Sequence, residues 1–370
     1  MNEVVKPLRE PKFHIVKRTG MVWWKSWLVR GAAVALALVF CGLVTWLLTK
    51  ENPLAVYKAM FEGAFGTKRR VWTLAQNIAM LLCVSLAVTP AFRMRFWNIG
   101  AEGQVLIGGL ATAACMILLG GKLPQPVLLV VMLVASVTAA AIWALIPAVF
   151  KAYWNTNETL FTLMMNYIAI QLVAFFCQEW AVPKGSGQIG VINASSQAGW
   201  LPTLFGQKYL LNVLVVLVLT VLMFIYLKYS KQGYEISVVG ESENTARYFG
   251  INVKKVIIRT MAISGALCGI AGLLLVGGTD HTITRNTADG RGFTAIMVSW
   301  LAKFNPLYMM ATAFLIVFME KGATEISTSF GLNDSFSEIL TGIIIFFIIG
   351  SEFFIQYAIM PTHKHKEGAK

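Results

Sequence analysis

Asn98, Glu102 and Gln104 fall in one short stretch, Asn98-Ile99-Gly100-Ala101-Glu102-Gly103-Gln104, with long apolar runs on both sides. A carboxylate and two amides are costly beside a bilayer; a charge at mid-membrane costs roughly 2.5–3.5 kcal/mol on insertion scales. Such groups suit a polar pathway. Gly100 and Gly103, with Gly108-Gly109 beyond them, would let the backbone break so that Glu102 faces a cavity rather than lipid. The plainer alternative is a tight turn at the membrane surface, with Arg93 and Arg95 pairing with Glu102. A second polar group is Thr156-Asn157-Glu158 followed by Asn166-Tyr167. Glu158 and Asn166 are eight residues apart and share a helix face. A buried Asn there either lines a pathway or bonds a neighbouring helix. With Asn77 these supply six candidate pathway residues: Asn77, Asn98, Glu102, Gln104, Asn166 and Tyr167.

Nothing in the chain reads as a reaction centre. There is no Gly-x-x-x-x-Gly-Lys-Ser/Thr phosphate cradle. His281, near Asp280 and Asp289, reads as part of a polar outer loop, and His363 and His365 belong to a basic tail. Cys41, Cys83, Cys115, Cys177 and Cys268 show no metal-ligand spacing and read as small packing residues. The expectation is a chain without catalysis, metal or cofactor of its own.

The elements that would position these residues are membrane helices. The chain is 57% hydrophobic and 13% charged, against about a quarter charged in soluble domains. Leu28 to Leu48 carries Arg30 as its sole charge and as a helix would be roughly 31 Å long, enough to cross the hydrocarbon core. The reading is an all-α integral membrane protein with about ten spans: 27–49, 71–92, 104–119, 127–150, 159–179, 209–227, 259–277, 293–303, 306–320 and 336–358. The third, eighth and ninth are short and read as half-helices or re-entrant pieces. Residues 53–66 read as an amphipathic helix on the outer surface. The polar N-terminus lacks a cleavage motif, so the first span is kept as an anchor. The expected organisation is a basic cytoplasmic arm over 1–26, the membrane domain over 27–358 and a basic cytoplasmic tail over 359–370. Placing the N-terminus inside puts 20 of the 31 Lys and Arg inside, with both termini cytoplasmic. The net charge of +13 is thereby assigned to membrane orientation, not to nucleic acid.

The cytoplasmic stretch 228–258 is patterned like a folded element. Ser242 can cap a short helix from Asn244 to Phe249, and Gly250 supplies the left-handed residue that ends it. Thr245 and Ala246 are small enough for another backbone to approach. A short capped helix at the membrane surface suits docking into a partner's groove; the bland alternative is a solvated loop.

This stretch resembles the coupling loop of ABC-transporter permeases, whose pattern is Glu-Ala-Ala, three residues, then Gly. Here Asn244, Thr245 and Ala246 precede Arg247-Tyr248-Phe249 and Gly250. The longer run Gly233-Tyr234-Glu235, Val239-Gly240, Ala246-Arg247-Tyr248, Gly250-Ile251 and Val253 is similar to the branch serving nucleosides and simple sugars. Asn98 to Gln104 resembles the same branch's Asn-Ile-Gly-Ala-Glu-Gly-Gln signature, with Trp97 before it where Phe is usual. Thr156-Asn157-Glu158 with Met164-Met165-Asn166-Tyr167 resembles another of its segments, from which Thr159 and Phe161 depart. Ser264-Gly265-Ala266 with Gly269 and Gly272, and Gly292-Phe293 with Asn305-Pro306, match further segments. The resemblance covers roughly residues 30–358.

That resemblance implies a permease subunit of an ATP-driven importer in a bacterial cell membrane, moving nucleosides inward by alternating access. Gly240, Asn244, Thr245, Ala246, Arg247 and Gly250 would then couple it to a separate ATPase subunit, which would bind ATP and Mg. The other implied partners are a second permease subunit, related or identical, and an extracytoplasmic substrate-binding lipoprotein. A simple sugar such as ribose is the rival cargo. Two readings of other classes stand beside it: an ion-coupled secondary transporter using Glu102 or Glu158 as a proton site, and a membrane scaffold or receptor without transport.

Overall fold

The computed structural model describes residues 13–18, 20–50 and 52–361. The 1–12 part of the basic arm and the 362–370 part of the tail lie outside the described residues. In chain order the elements are β1 (Phe13–Lys17), α1 (Trp23–Thr49), α2 (Pro53–Phe65), α3 (Lys68–Arg93), α4 (Ala101–Leu119), α5 (Gln125–Trp154), α6 (Glu158–Glu179), α7 (Leu210–Tyr229), α8 (Lys231–Glu241), α9 (Glu243–Tyr248), α10 (Val253–Leu275), a π-helical turn (Val276–Asp280), α11 (Arg291–Leu301), α12 (Pro306–Ser329), α13 (Asp334–Gln356) and β2 (Tyr357–Pro361). Among the described residues nine helices are long and apolar enough to cross a membrane. Three of these helices start on a side chain that takes up an end N–H group. Thr67 Oγ1 accepts from Arg70 at α3, Asn157 Oδ1 from Leu160 at α6 and Asn252 Oδ1 from Lys255 at α10. Pro306 is the first residue of α12, where its missing N–H is not needed. The expected ninth span stopped at 320, where Glu320-Lys321 interrupts the apolar run; the helix continues to Ser329.

Contacts divide the chain into two units, one up to Gly63 and from Gly322, the other from Ala64 to Lys321. In the first unit α1 lies along α13. The charge inside the first span, Arg30, is neutralised there: its Nε donates to Glu352 Oε1 at 2.8 Å, with both side chains largely buried. A paired charge is tolerated where a lone one would be expelled. Residues 53–65 form the expected short helix, with Val56 and Met60 buried on one face and Tyr57 Oη donating to the Leu38 carbonyl of α1 at 2.9 Å.

The second unit is built around α10, which is mostly buried. Its glycines admit two neighbours at backbone distance. A Cβ on Gly265 would lie 2.6 Å from the Ala140 carbonyl of α5, and one on Gly269 would lie 2.5 Å from that of Ser136. On the other side, a Cβ on Gly272 would sit 2.5 Å from the Gly109 nitrogen of α4. The packing role expected for this small-residue pattern is what the helix uses.

The expected eighth span is the short helix α11, eleven residues long and so about 16 Å. It cannot cross alone. Residues 282–301 form a broken segment, and its contacts trace its course along α3. Cys177, near the end of α6, donates to the Ile283 carbonyl at 3.3 Å. Deeper, Arg291 meets Asn77 of α3 at 3.1 Å. Ser299 lies 2.8 Å from Thr89, and Trp300 rests against Trp97 at 5.7 Å between ring centroids. Asn77 and Thr89 are about 18 Å apart along α3. The segment is irregular in its first half and helical in its second.

Gly269→Val should be poorly tolerated, because the atoms in its way are backbone and cannot rotate aside. We expect a loss of about 1–3 kcal/mol or more, seen as lower thermal stability in detergent. Gly342→Ala, where the space is open, should behave as wild type.

Candidate functional site

The break in the 282–301 segment explains the carboxylate at position 102. An α-helix that begins inside the membrane leaves its first N–H groups bare, where water cannot satisfy them. Glu102, at the start of α4, supplies both acceptors. Its Oε1 accepts from Gly290 N at 2.9 Å and its Oε2 from Gly292 N at 2.7 Å. The negative group also sits at the positive end of the α11 dipole. Gly292 is required by this approach, since a Cβ there would lie 2.5 Å from the Glu102 nitrogen.

The start of α4 is itself inside the protein and is capped the same way. Asn166 of α6 accepts from Gly103 N at 2.8 Å and donates to the Ile99 carbonyl at 2.8 Å. Thr162, one turn earlier, accepts from Ile99 N at 3.2 Å. Asn98 completes the group: it accepts from Gly100 N at 3.0 Å and from Gln104 Nε2 at 3.2 Å, and donates to Ser264 Oγ of α10 at 3.2 Å. Asn98, Glu102, Gln104 and Asn166 are all buried. The structure thus brings four of the six candidate pathway residues together around the start of α4. Their hydrogen bonds lie within the chain, and Arg93 and Arg95 take no part in those of Glu102.

Asn77 stands at the edge of this group. It accepts from Arg291, whose guanidinium also lies 3.7 Å from Asp289. Tyr167 stands apart, 58% exposed on the outer side of α6. Glu158 is engaged at the other end of α6, where it pairs with Lys151 at 3.0 Å. Phe161 packs on Phe150 at 5.0 Å between centroids. Arg291, Thr162 and Ser264 were not singled out by their chemistry in the sequence. The available signal was a charge beside a short predicted span, next to the Gly292-Phe293 motif.

At one end of the second unit, the 228–258 stretch is more ordered than a loop. Ser230 Oγ accepts from Gly233 N at 2.9 Å to start α8, and Ser242 Oγ accepts from Thr245 N at 3.3 Å to start α9. Gly250 has φ +75° and ends the turn. Gly240 allows α8 to lie on α3, since a Cβ there would collide with the Arg93 carbonyl. Ala246 is fully buried, so the backbone that approaches it is the protein's own. The outward surface is made by others: Asn244, Thr245 and Arg247 are exposed, Arg247 pairs with Glu243 at 3.4 Å, and Tyr248 and Phe249 are 92% and 71% exposed. Two large exposed aromatics on a short rigid helix mark an interaction surface.

At the opposite end, the loop after α6 folds over the ends of α5 and α10 and encloses a cavity of about 660 Å³ lined in part by Gln125, Trp200, Leu201, Lys208 and His281. His281 is stacked on Trp200, with centroids 3.8 Å apart and planes 4° from parallel. Burial pushes its pKa down to about 4, and the charge of Lys208 adds to the shift while the Gly277 carbonyl opposes it. The neutral ring is thus a packing element.

The family described as the permease component of branched-chain amino acid transport systems matches residues 70–349. The chain is 29% identical over 323 residues to a guanosine ABC transporter permease of Bacillus subtilis, covering 86% of this chain and 92% of that one. It is 26% identical over 341 residues to a nucleoside ABC transporter permease of Lactococcus lactis, covering 89% and 93%. It is also 26% identical over 347 residues to a glucose ABC transporter permease of Haloferax volcanii, covering 90% of each.

Glu102→Ala should destabilise more than Glu102→Gln, which keeps one acceptor. Each N–H orphaned by the alanine should cost about 1–3 kcal/mol, read as thermal unfolding of the purified chain. For His281, the folded protein resists a proton that the unfolded chain accepts at its ordinary value of 6.5. Stability should therefore be full above that pH and fall as pH drops toward 4, by on the order of 2–3 kcal/mol. His281→Gln should flatten that part of the profile in unfolding scans from pH 7.5 to 4.5.

Proposed function

This chain belongs to the permease family of ABC importers, and on that premise we propose that it forms one membrane half of an importer carrying nucleosides into the cytoplasm by alternating access. It is a transport subunit and not an enzyme; ATP and Mg belong to a separate ATPase chain. The observation that carries the coupling role is α9, a capped and internally packed helix that presents Tyr248 and Phe249 outward beside Asn244, Thr245 and Arg247. Ala246, Gly240 and Gly250 hold that helix rigid from behind. A rigid contact is what allows nucleotide-driven movement in one subunit to bias a two-state membrane domain in another.

Both termini are assigned to the cytoplasm of a bacterial cell, in keeping with the bias of basic residues and an even number of passes. The second membrane half is a related chain or a second copy. A binding lipoprotein delivers cargo at the end bearing the 180–208 loop. Asn98, Glu102, Gln104 and Asn166 frame the cargo pathway, with Glu102 holding the broken 282–301 segment as a tenth pass, Asn77 at the edge and Tyr167 on the exposed side of α6. Nucleosides are favoured because relatives covering nearly the whole chain are named for guanosine and nucleosides. A simple sugar is the second reading, favoured by the relative named for glucose.

The test is uptake into vesicles containing the reconstituted complex. ATP-driven accumulation of labelled guanosine, competed by other nucleosides and not by ribose, is the expected result. Competition by ribose alone would move the cargo to sugars. Uptake that stops on collapse of the proton gradient while ATP persists would overturn the ATP-driven reading. Tyr248→Ala with Phe249→Ala should abolish ATPase copurification and uptake while leaving thermal stability close to wild type, since both side chains face outward.

A further inference from the structure

A small basic cavity lies between the end of α5 and the start of α10, on the same end of the molecule as α8 and α9. Its volume is about 320 Å³, and it is lined by Tyr153, Asn252, Lys254, Lys255, Ile258 and Arg259. That is at the lower end of the roughly 300–1,000 Å³ range of small-ligand sites. Three features give it positive potential. Lys254 and Lys255 are exposed and have no carboxylate partner among the described residues; Lys254 Nζ instead lies 4.7 Å over the Tyr153 ring. The first turn of α10 opens here, and Asn252 Oδ1 takes up only the Lys255 N–H. Arg259 forms the rear wall, fixed by Glu235 at 2.9 Å, so one of the three basic side chains is neutralised and positioned while the other two remain available.

The surroundings narrow the ligand class. Beside the cavity the end of α5 carries Phe150, Tyr153 and Trp154, exposed by 41%, 59% and 66% and packed ring to ring. Aromatic residues of this kind sit at headgroup level. A free anion would use the cations and leave this ridge bare. An amphiphile with an anionic head and apolar tails would use both. Basic pockets between membrane helices on the cytoplasmic side suit anionic headgroups.

We infer that this cavity is a binding site for the phosphodiester headgroup of an anionic phospholipid, with Lys254 and Lys255 holding the phosphate and the acyl chains lying along the aromatic end of α5. Bound there, the lipid buttresses the junction between α9 and α10, next to the coupling surface. The site does not depend on the identity of the cargo.

The experiment uses the full-length chain in mild detergent, with phosphatidylglycerol retention read by native mass spectrometry. Lys254→Gln with Lys255→Gln should weaken retention about tenfold or more, whereas Lys254→Arg with Lys255→Arg should preserve it. Lys122→Gln with Lys184→Gln, at the opposite end, should leave it unchanged. Phosphatidylcholine should be retained by none of them, and millimolar inorganic phosphate should not displace phosphatidylglycerol. Equal retention by the glutamine pair and wild type would overturn the inference, as would displacement by inorganic phosphate, which would mark a soluble-anion site. Loss of a copurifying ATPase with lipid retention intact would assign the lysines to protein docking and would equally overturn it.

Discussion

The arrangement of the second unit depends on one constraint: a helix that starts within a membrane must find acceptors for its first N–H groups. Two helices of this chain start that way, and each is capped by a side chain from another element. Asn166 of α6 caps α4, and Glu102 at the head of α4 caps α11. The caps are in series, so the position of the broken 282–301 segment is tied through α4 to α6. Polar groups that would be costly alone in lipid become affordable because each acceptor meets a donor that also had no other partner.

The glycines serve the same end by a different route. Gly292 lets Glu102 reach the backbone it caps, while Gly265, Gly269 and Gly272 let α10 lie against α4 and α5 without intervening side chains. Close backbone approach without a hydrophobic driving force relies on packing and hydrogen bonds, as expected inside a bilayer. The result is a core in which the short helix α11 is held by the Glu102 cap and by its buried Ala295, Val298 and Leu301, not by length.

At the membrane surface the logic is reversed. Helix α9 has only six residues and could not persist alone. It is held by Ser242 at its start, by the buried Ala246 at its middle and by Gly250 at its end, and so its outward aromatic residues are presented in a fixed geometry. The small residue at 246 is read by the protein's own core. The side chains around it, Asn244, Thr245, Arg247, Tyr248 and Phe249, are the ones left exposed.

Composition and apolar run length alone determined that this is a helical membrane protein. They placed the long helices and marked 98–104, 156–167 and 242–250 as places where the chain departs from plain lipid-facing helix. These properties are local, and transfer free energies and cap preferences act over a few residues. Residue types also identified the small-residue face of α10, because glycine spacing on a helix fixes which side can be approached. Only the tertiary structure decided what the polar groups bind. Nothing near Glu102 in sequence announces that its partners are the nitrogens of Gly290 and Gly292, and nothing near Asn166 announces Gly103. It also decided that residues 282–301 form a broken segment and that Ala246 faces inward. The physical reason is that these bonds close between elements brought together by packing, and a carboxylate in a bilayer is defined by the donors it meets there.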